Sequence, residues 1–158
     1  MHVLLWLLVA MLAFFAMEGL AWVAHRHVMH GWGWRWHRSH HEPRRGLLEA
    51  NDGFSVIGAM LAVGLFLAAG ALQSPLLQAA AVGVTAYGMA YWLVHDGLVH
   101  QRWPWRWSPR AGYLRRLVQA HRLHHAVRTR DGALSFGFLI VADPRLLVAR
   151  LRERRRSP

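Results

Sequence analysis

The sequence predicts an all-α, integral-membrane helix bundle, and three observations carry that prediction. First, 54% of the 158 residues are apolar, above the usual globular range. Second, those residues gather into three runs long enough to cross a bilayer. Third, all 19 basic residues are Arg, and none falls between Met1 and Ala24 or between Asp52 and Gln101. The formal charge of +11 is thus kept out of the apolar runs. The length is that of one domain, so residues 1–158 read as a single unit.

The first span is Val3 to Ala24 (residues 3–24), interrupted only by Glu18. At about 1.5 Å of rise per residue it crosses a hydrocarbon core of roughly 30 Å. It lacks the Lys or Arg of a signal-peptide n-region and exceeds the usual h-region length, so it reads as a retained helix. Residues 54–72 and 76–94 form two more spans, joined by the Gln73-Ser74-Pro75 turn into an antiparallel hairpin. Asn51 or Asp52 is expected to cap the first of them. The pairs Ala79/Gly83, Ala86/Ala90 and Gly64/Ala68 carry the small-residue spacing of close helix packing in lipid. Residues 133–142 are apolar but too short to span, and Asp143-Pro144 breaks the run, so a re-entrant or interfacial helix is expected there. Carrying the run to 148 as a fourth span would take Asp143 and Arg145 into hydrocarbon at high cost. Residues 145–158 read as a basic tail that binds anionic lipid; no recognition motif accompanies it, so nucleic acid is not expected as a partner. With the first span running outside to inside, every arginine segment (26–45, 102–130 and the tail) falls on the cytoplasmic side.

The chain has no cysteine, which excludes disulfides, thiolate haem and Cys-ligated clusters. It has 12 histidines. Apart from His2 and His27 they repeat: His25-x4-His30 then His37-x2-His40-His41, and His95-x4-His100 then His121-x2-His124-His125. Each half follows a span directly, which places the set in a cytoplasmic cap. On a helix, positions i, i+3 and i+4 share a face, so each triplet presents in one direction. The x4 pairs lie about 140° apart on an α-helix, so they either serve different ions or need a π-type distortion. His27, at i+3 from no repeat partner but His30, is an alternative ligand that the repeat symmetry disfavours. Ten histidines exceed one mononuclear centre, and two metals sharing about five each is the natural reading. Imidazole suits iron, zinc and copper alike. A bis-His haem protein is the reading from another class, disfavoured because haem uses only two axial histidines.

The order of these motifs around a span hairpin resembles the membrane fatty-acid hydroxylase and sterol-desaturase superfamily. The segments Met29-His30-Gly31-Trp32-Gly33-Trp34, Ser39-His40-His41-Glu42-Pro43-Arg44, 94–104 (VHDGLVHQRWP) and 120–127 (AHRLHHAV) narrow the resemblance to the bacterial β-carotene hydroxylases, over about Glu18 to Leu139. That resemblance implies a non-haem di-iron monooxygenase of the bacterial inner membrane. It would use O2 and two electrons, from a ferredoxin-like or other reductase, to hydroxylate carbon 3 of the β-ionone rings of a carotenoid drawn from the bilayer, giving zeaxanthin through cryptoxanthin. Fatty-acyl or sterol hydroxylation or desaturation is the alternative within the superfamily. The implied ligands are His25, His30, His37, His40, His41, His95, His100, His121, His124 and His125.

Ligating imidazoles need a partner on their second nitrogen, and Asp96, Asp52 and Glu42 adjoin the motifs closely enough to serve. Glu18 within the first span must be paired or face a cavity. Tyr87, Tyr91 and Trp92, just before His95, are candidates to line a substrate tunnel, as are Met60, Phe66 and Met89. Trp32, Trp34, Trp36, Trp103, Trp105 and Trp107 read as an interfacial aromatic belt.

Overall fold

In a computed structural model, residues 2–44, 46–104 and 106–156 are described. Arg45, Trp105 and the end of the basic tail, residues 157–158, lie outside them. The elements are α1 (His2–Val23), which runs directly into a π-helical segment π1 (Ala24–Trp32), then α2 (Trp34–His41), α3 (Asp52–Ala71), and α4 (Pro75–Tyr91) running into π2 (Trp92–Val99). The last two are α5 (Gly112–His125) and α6 (Pro144–Arg156). Among the described residues there is no strand.

Three helices are long and apolar enough to cross a membrane: His2–Trp32, Asp52–Ala71 and Pro75–Val99. Their outward faces carry large exposed apolar side chains, among them Leu4, Leu12, Met60, Leu67 and Met89, as lipid contact requires. Helix α4 packs against both α1 and α3. Its approach to α1 is made possible by Gly83: a Cβ there would collide with the Ala10 carbonyl oxygen and lie 2.9 Å from Ala13 Cβ. Ala79, one turn earlier, is fully buried in the same seam. The other two small-residue pairs do not mediate packing, because Gly64 and Ala86 are exposed on the lipid face.

The hairpin turn is closed by Ser74, whose hydroxyl accepts from Leu77 N at 3.3 Å, with Pro75 at the first helical position. At the start of α3 the expected cap is absent. Asn51 occupies the cap position but turns its amide elsewhere, and Asp52 accepts from Glu49 N at 2.9 Å.

One expectation is corrected at the C-terminal end. Residues 133–142 are not helical. They form a loop tucked against α1, where Glu18 accepts from the backbone amides of Phe138 (3.0 Å), Leu139 (3.0 Å) and Ile140 (2.9 Å) and from the Tyr87 hydroxyl (2.7 Å). A helix would have consumed those three amides internally. The buried carboxylate satisfies them instead, which also answers how Glu18 is tolerated in a span. Gly137 makes the wrap possible, since a Cβ there would clash with the Ile140 carbonyl and sit 3.2 Å from Glu18 Oε1. The described part of the basic tail lies in helix α6. Pro144 starts it, the Asp143 carboxylate accepts from Arg145 N at 2.8 Å, and Leu147 is buried against Ala120 and Leu134.

Candidate metal centre

The x4 pairs are brought together by π-helical backbone, which contains His25 and His30 and runs from before His95 up to His100. Where the backbone bonds i to i+5, as in Gly33 N to Val28 O (2.8 Å) and His100 N to His95 O (2.9 Å), residues five apart come nearly over one another. His25 and His30 within π1, and His95 within π2 with His100 as the residue that caps it, therefore turn toward common centres. All ten repeat histidines meet at the end of the bundle that carries π1 and π2.

They meet as two groups. His25, His30, His37 and His124 bring one ring nitrogen each within 4.8 Å of one another, and so do His40, His95, His100 and His121. His41 joins the first group, its Nε2 3.2 Å from His37 Nε2. His125 joins the second, 2.9 Å from His121 Nε2. The groups abut, with the His41 and His125 rings stacked at 4.4 Å. Each x2-His-His triplet is thus not a unit. The outer two histidines stay with their own half, and the middle one crosses: His40 to the second group, His124 to the first. Helices α2 and α5 contribute to both groups, so neither group exists without both halves of the chain. His27 is exposed at the edge of Trp22 and belongs to neither.

The outward nitrogens are held by acceptors. In the first group, His25 Nδ1 donates to Phe136 O (2.9 Å), His30 to Arg130 O (2.7 Å), His41 to Val127 O (3.0 Å), His124 to Leu134 O (3.0 Å) and His37 to Asn51 Oδ1 (2.7 Å). In the second, His40 Nδ1 donates to Glu49 Oε2 (3.1 Å) and His95 to Asp96 Oδ1 (2.7 Å). Of the three carboxylates singled out from sequence, only Asp96 touches an imidazole. Glu42 pairs with exposed Arg38 at 2.7 Å. Asp52 is gripped by both terminal nitrogens of Arg102, at 2.6 and 2.7 Å, and Arg102 also reaches Asp96 at 3.5 Å. Sequence reasoning missed Asn51, Glu49 and Arg102. A polar residue at the mouth of a helix was visible in Asn51, but its amide turned out to serve His37 instead of the helix end. The four carbonyl acceptors of the 127–136 loop carry no sequence signal at all.

A carbonyl oxygen can only accept, so Nδ1 carries the proton and Nε2 keeps a bare lone pair. Bare Nε2 atoms then face one another in His25/His37 (3.1 Å), His37/His41 (3.2 Å), His30/His124 (3.2 Å) and His40/His95 (3.0 Å). Protonation would not relieve them. Burial holds His37 at about 3, and His41 and His100 at about 4, and pushes His40, His121, His124 and His125 down as well, with neighbouring histidines adding repulsion. Burial also pushes the Glu49 carboxyl up, against the pull of Arg102. Neutral, oriented imidazoles with converging lone pairs are the donor set of a metal site. The all-nitrogen set fits iron, as it fits zinc or copper, and the four or five imidazoles in each group exceed the two axial ligands that a haem takes.

The surroundings divide by polarity. Phe138 stacks on His25 (4.9 Å, 15°) and also contacts His95 (5.5 Å) and Tyr91 (4.9 Å). Tyr91 itself stacks on His95 at 4.5 Å. Of the other tunnel candidates, Tyr87 is buried with its hydroxyl on Glu18, and Trp92 is half exposed against Trp103 on the outside. Met60, Phe66 and Met89 face outward. The tryptophans also divide: Trp32, Trp36 and Trp107 are exposed, but Trp34 packs on His30 and His41. A polar pocket of about 320 Å³ also opens beside the second group, lined by His100, His121, His125, Glu42, Arg122 and Arg128 among others.

Comparison with known proteins gives a consistent picture. The family model of fatty acid hydroxylases matches residues 10–144. A β-carotene hydroxylase of Pseudescherichia vulneris is 56% identical over 151 residues, covering 96% of this chain and 85% of the relative. One from Pantoea ananas is 51% identical over 154 residues, covering 96% and 87%. One from Paracoccus sp. (strain PC1) is 56% identical over 124 residues, covering 78% and 76%. No solved structure matches.

Proposed function

The chain belongs to the fatty acid hydroxylase family, among its β-carotene hydroxylases, and from that premise we propose that it hydroxylates carbon 3 of β-ionone rings at a centre of two non-haem irons. The observation that carries the metal reading is the facing of bare Nε2 lone pairs at 3.0 to 3.2 Å within both histidine groups. The first ion is held by His25, His30, His37, His41 and His124, the second by His40, His95, His100, His121 and His125. The chemistry that bound irons supply is two-electron reduction of O2 and insertion of one oxygen atom into a ring C–H bond, the other leaving as water.

The chain's own residues prepare that reaction. The acceptors on Nδ1 fix ring orientation and tautomer, so the ligands need no reorganisation. Phe138 and Tyr91 form an apolar wall between the helices and the imidazoles, which excludes water and meets a hydrocarbon ring arriving from the bilayer. The polar pocket beside His100 and His125 is the side from which electrons of a ferredoxin-like or other reductase arrive. The clustering of arginine beside the histidine motifs supports a cytoplasmic position for that side, with the chain in the inner membrane.

The reading is tested by pigment analysis of a β-carotene-producing bacterium that expresses the chain. Cryptoxanthin and zeaxanthin are expected from the wild type and neither from His40→Ala or His124→Ala at equal membrane levels. Unchanged β-carotene with an iron-loaded wild type would overturn it.

A further inference from the structure

The partners of the two histidine groups differ in kind. Every described Nδ1 acceptor in the first group is neutral: four loop carbonyls and the Asn51 amide oxygen. Both described acceptors in the second group are carboxylates, Glu49 and Asp96. Behind them stands Asp52, which Arg102 grips while also reaching Asp96 at 3.5 Å, and Glu49 feels the charges of Arg102 and Arg44 with no direct ion pair to either among the described contacts. The neighbouring Arg44 directs its guanidinium to the carbonyl oxygens of Gly46 and Leu47. Asp131, the acid nearest His30, is 83% exposed and screened by water.

An imidazole that donates to a carboxylate is a stronger electron donor than one that donates to a carbonyl, because the anion draws its N–H proton outward and raises the basicity of the far nitrogen. We infer that the two metal positions are unequal, the second binding its ion more tightly, and that Glu49 and Asp96 are the positioning residues that make it so. This rests on the two-metal reading above. Outer partners of this kind change metal affinity by about 10- to 100-fold, and that sets the expected gap between positions. Asn51 offers the reciprocal change. Its Oδ1 is 2.7 Å from His37 Nδ1, so an aspartate there places a carboxylate on the first position with little change of shape.

The experiment uses the full chain purified in detergent micelles, loaded with Co(II) and titrated with a competing chelator while the cobalt absorption is followed. Wild type is expected to release its ions in two resolved steps, at least about 10-fold apart. Glu49→Gln and Asp96→Asn are expected to weaken the tighter step alone. Asn51→Asp is expected to strengthen the weaker step alone, a gain that structural damage cannot mimic. Two coincident steps in wild type, or variants that shift both steps together, would overturn the inequality while leaving the two-metal reading intact. Binding of fewer than two ions per chain would overturn both.

Discussion

Glu18 provides a quantitative test of how the membrane helices govern the metal centre. The Glu18→Ala substitution leaves four donors, the amides of Phe138, Leu139 and Ile140 and the Tyr87 hydroxyl, without their acceptor. Hydrogen bonds between side chains in membrane proteins average about 0.6 kcal/mol, and bonds to charged groups in water-soluble proteins reach about 1.5 kcal/mol or more. Four of them therefore place the loss between roughly 2 and 6 kcal/mol. The local consequence is larger than the global one, because the freed loop supplies Leu134 O and Phe136 O to His124 and His25 and carries Phe138 onto the rings. The assay is unfolding in mixed micelles together with metal content per chain. Glu18→Ala should lose stability in that range and bind metal weakly, and Glu18→Gln, which keeps one acceptor oxygen, should fall between. A Glu18→Ala chain within about 0.5 kcal/mol of wild type, the range of an ordinary surface substitution, and with normal metal content would refute the reasoning.

Three further outcomes follow from the same geometry. The crossing of the middle histidines predicts that His40→Ala is non-additive with His95→Ala in a metal-binding cycle but additive with His37→Ala; coupling of His40 to His37 in preference to His95 would contradict it. In the metal-free chain, His37, His41 and His100 titrate near 3, 4 and 4, against 6.5 when unfolded. Below the unfolded value the unfolded chain binds more protons, so stability should be full above about pH 6.5 and fall on acidification toward pH 4, by up to about 1.4 kcal/mol per pH unit per histidine. A flat unfolding profile over that window would count against the burial of these rings. Gly137→Ala should displace the loop, because its Cβ meets the Ile140 carbonyl and lies 3.2 Å from Glu18 Oε1. Wild-type thermal stability and metal content in that variant would show that the loop is not wrapped as described.

The spans were legible because lipid leaves so little choice: length, apolarity and the exclusion of Arg marked all three helices. The histidine repeat was legible for the same kind of reason, since a buried set of imidazoles has few uses besides a metal. A π-type distortion was one of two outcomes that the spacing left open, because i and i+5 diverge on an α-helix, and service to different ions was the other. The crossing of His40 and His124 was not legible, because it depends on α2 and α5 packing side by side, and a shared face on one helix does not say which neighbour that face meets. Glu42 looked suitable by adjacency to His41, yet it follows the end of α2 and turns out to Arg38. Tyr91 and Trp92 are adjacent, and the rotation of about 100° between successive helical residues sends one onto His95 and the other outward. The loop at 133–142 read as a helix because its apolar content is that of one; its backbone amides go instead to a carboxylate some 120 positions earlier.

The number of metal ions that one chain holds is the most direct measure of this centre. Quantitative elemental analysis of the purified, iron-reconstituted protein should give two ions per wild-type chain, and fewer in both His40→Ala and His124→Ala. One ion or none in the wild type, or two retained in both variants, would contradict a centre built from crossed histidine groups.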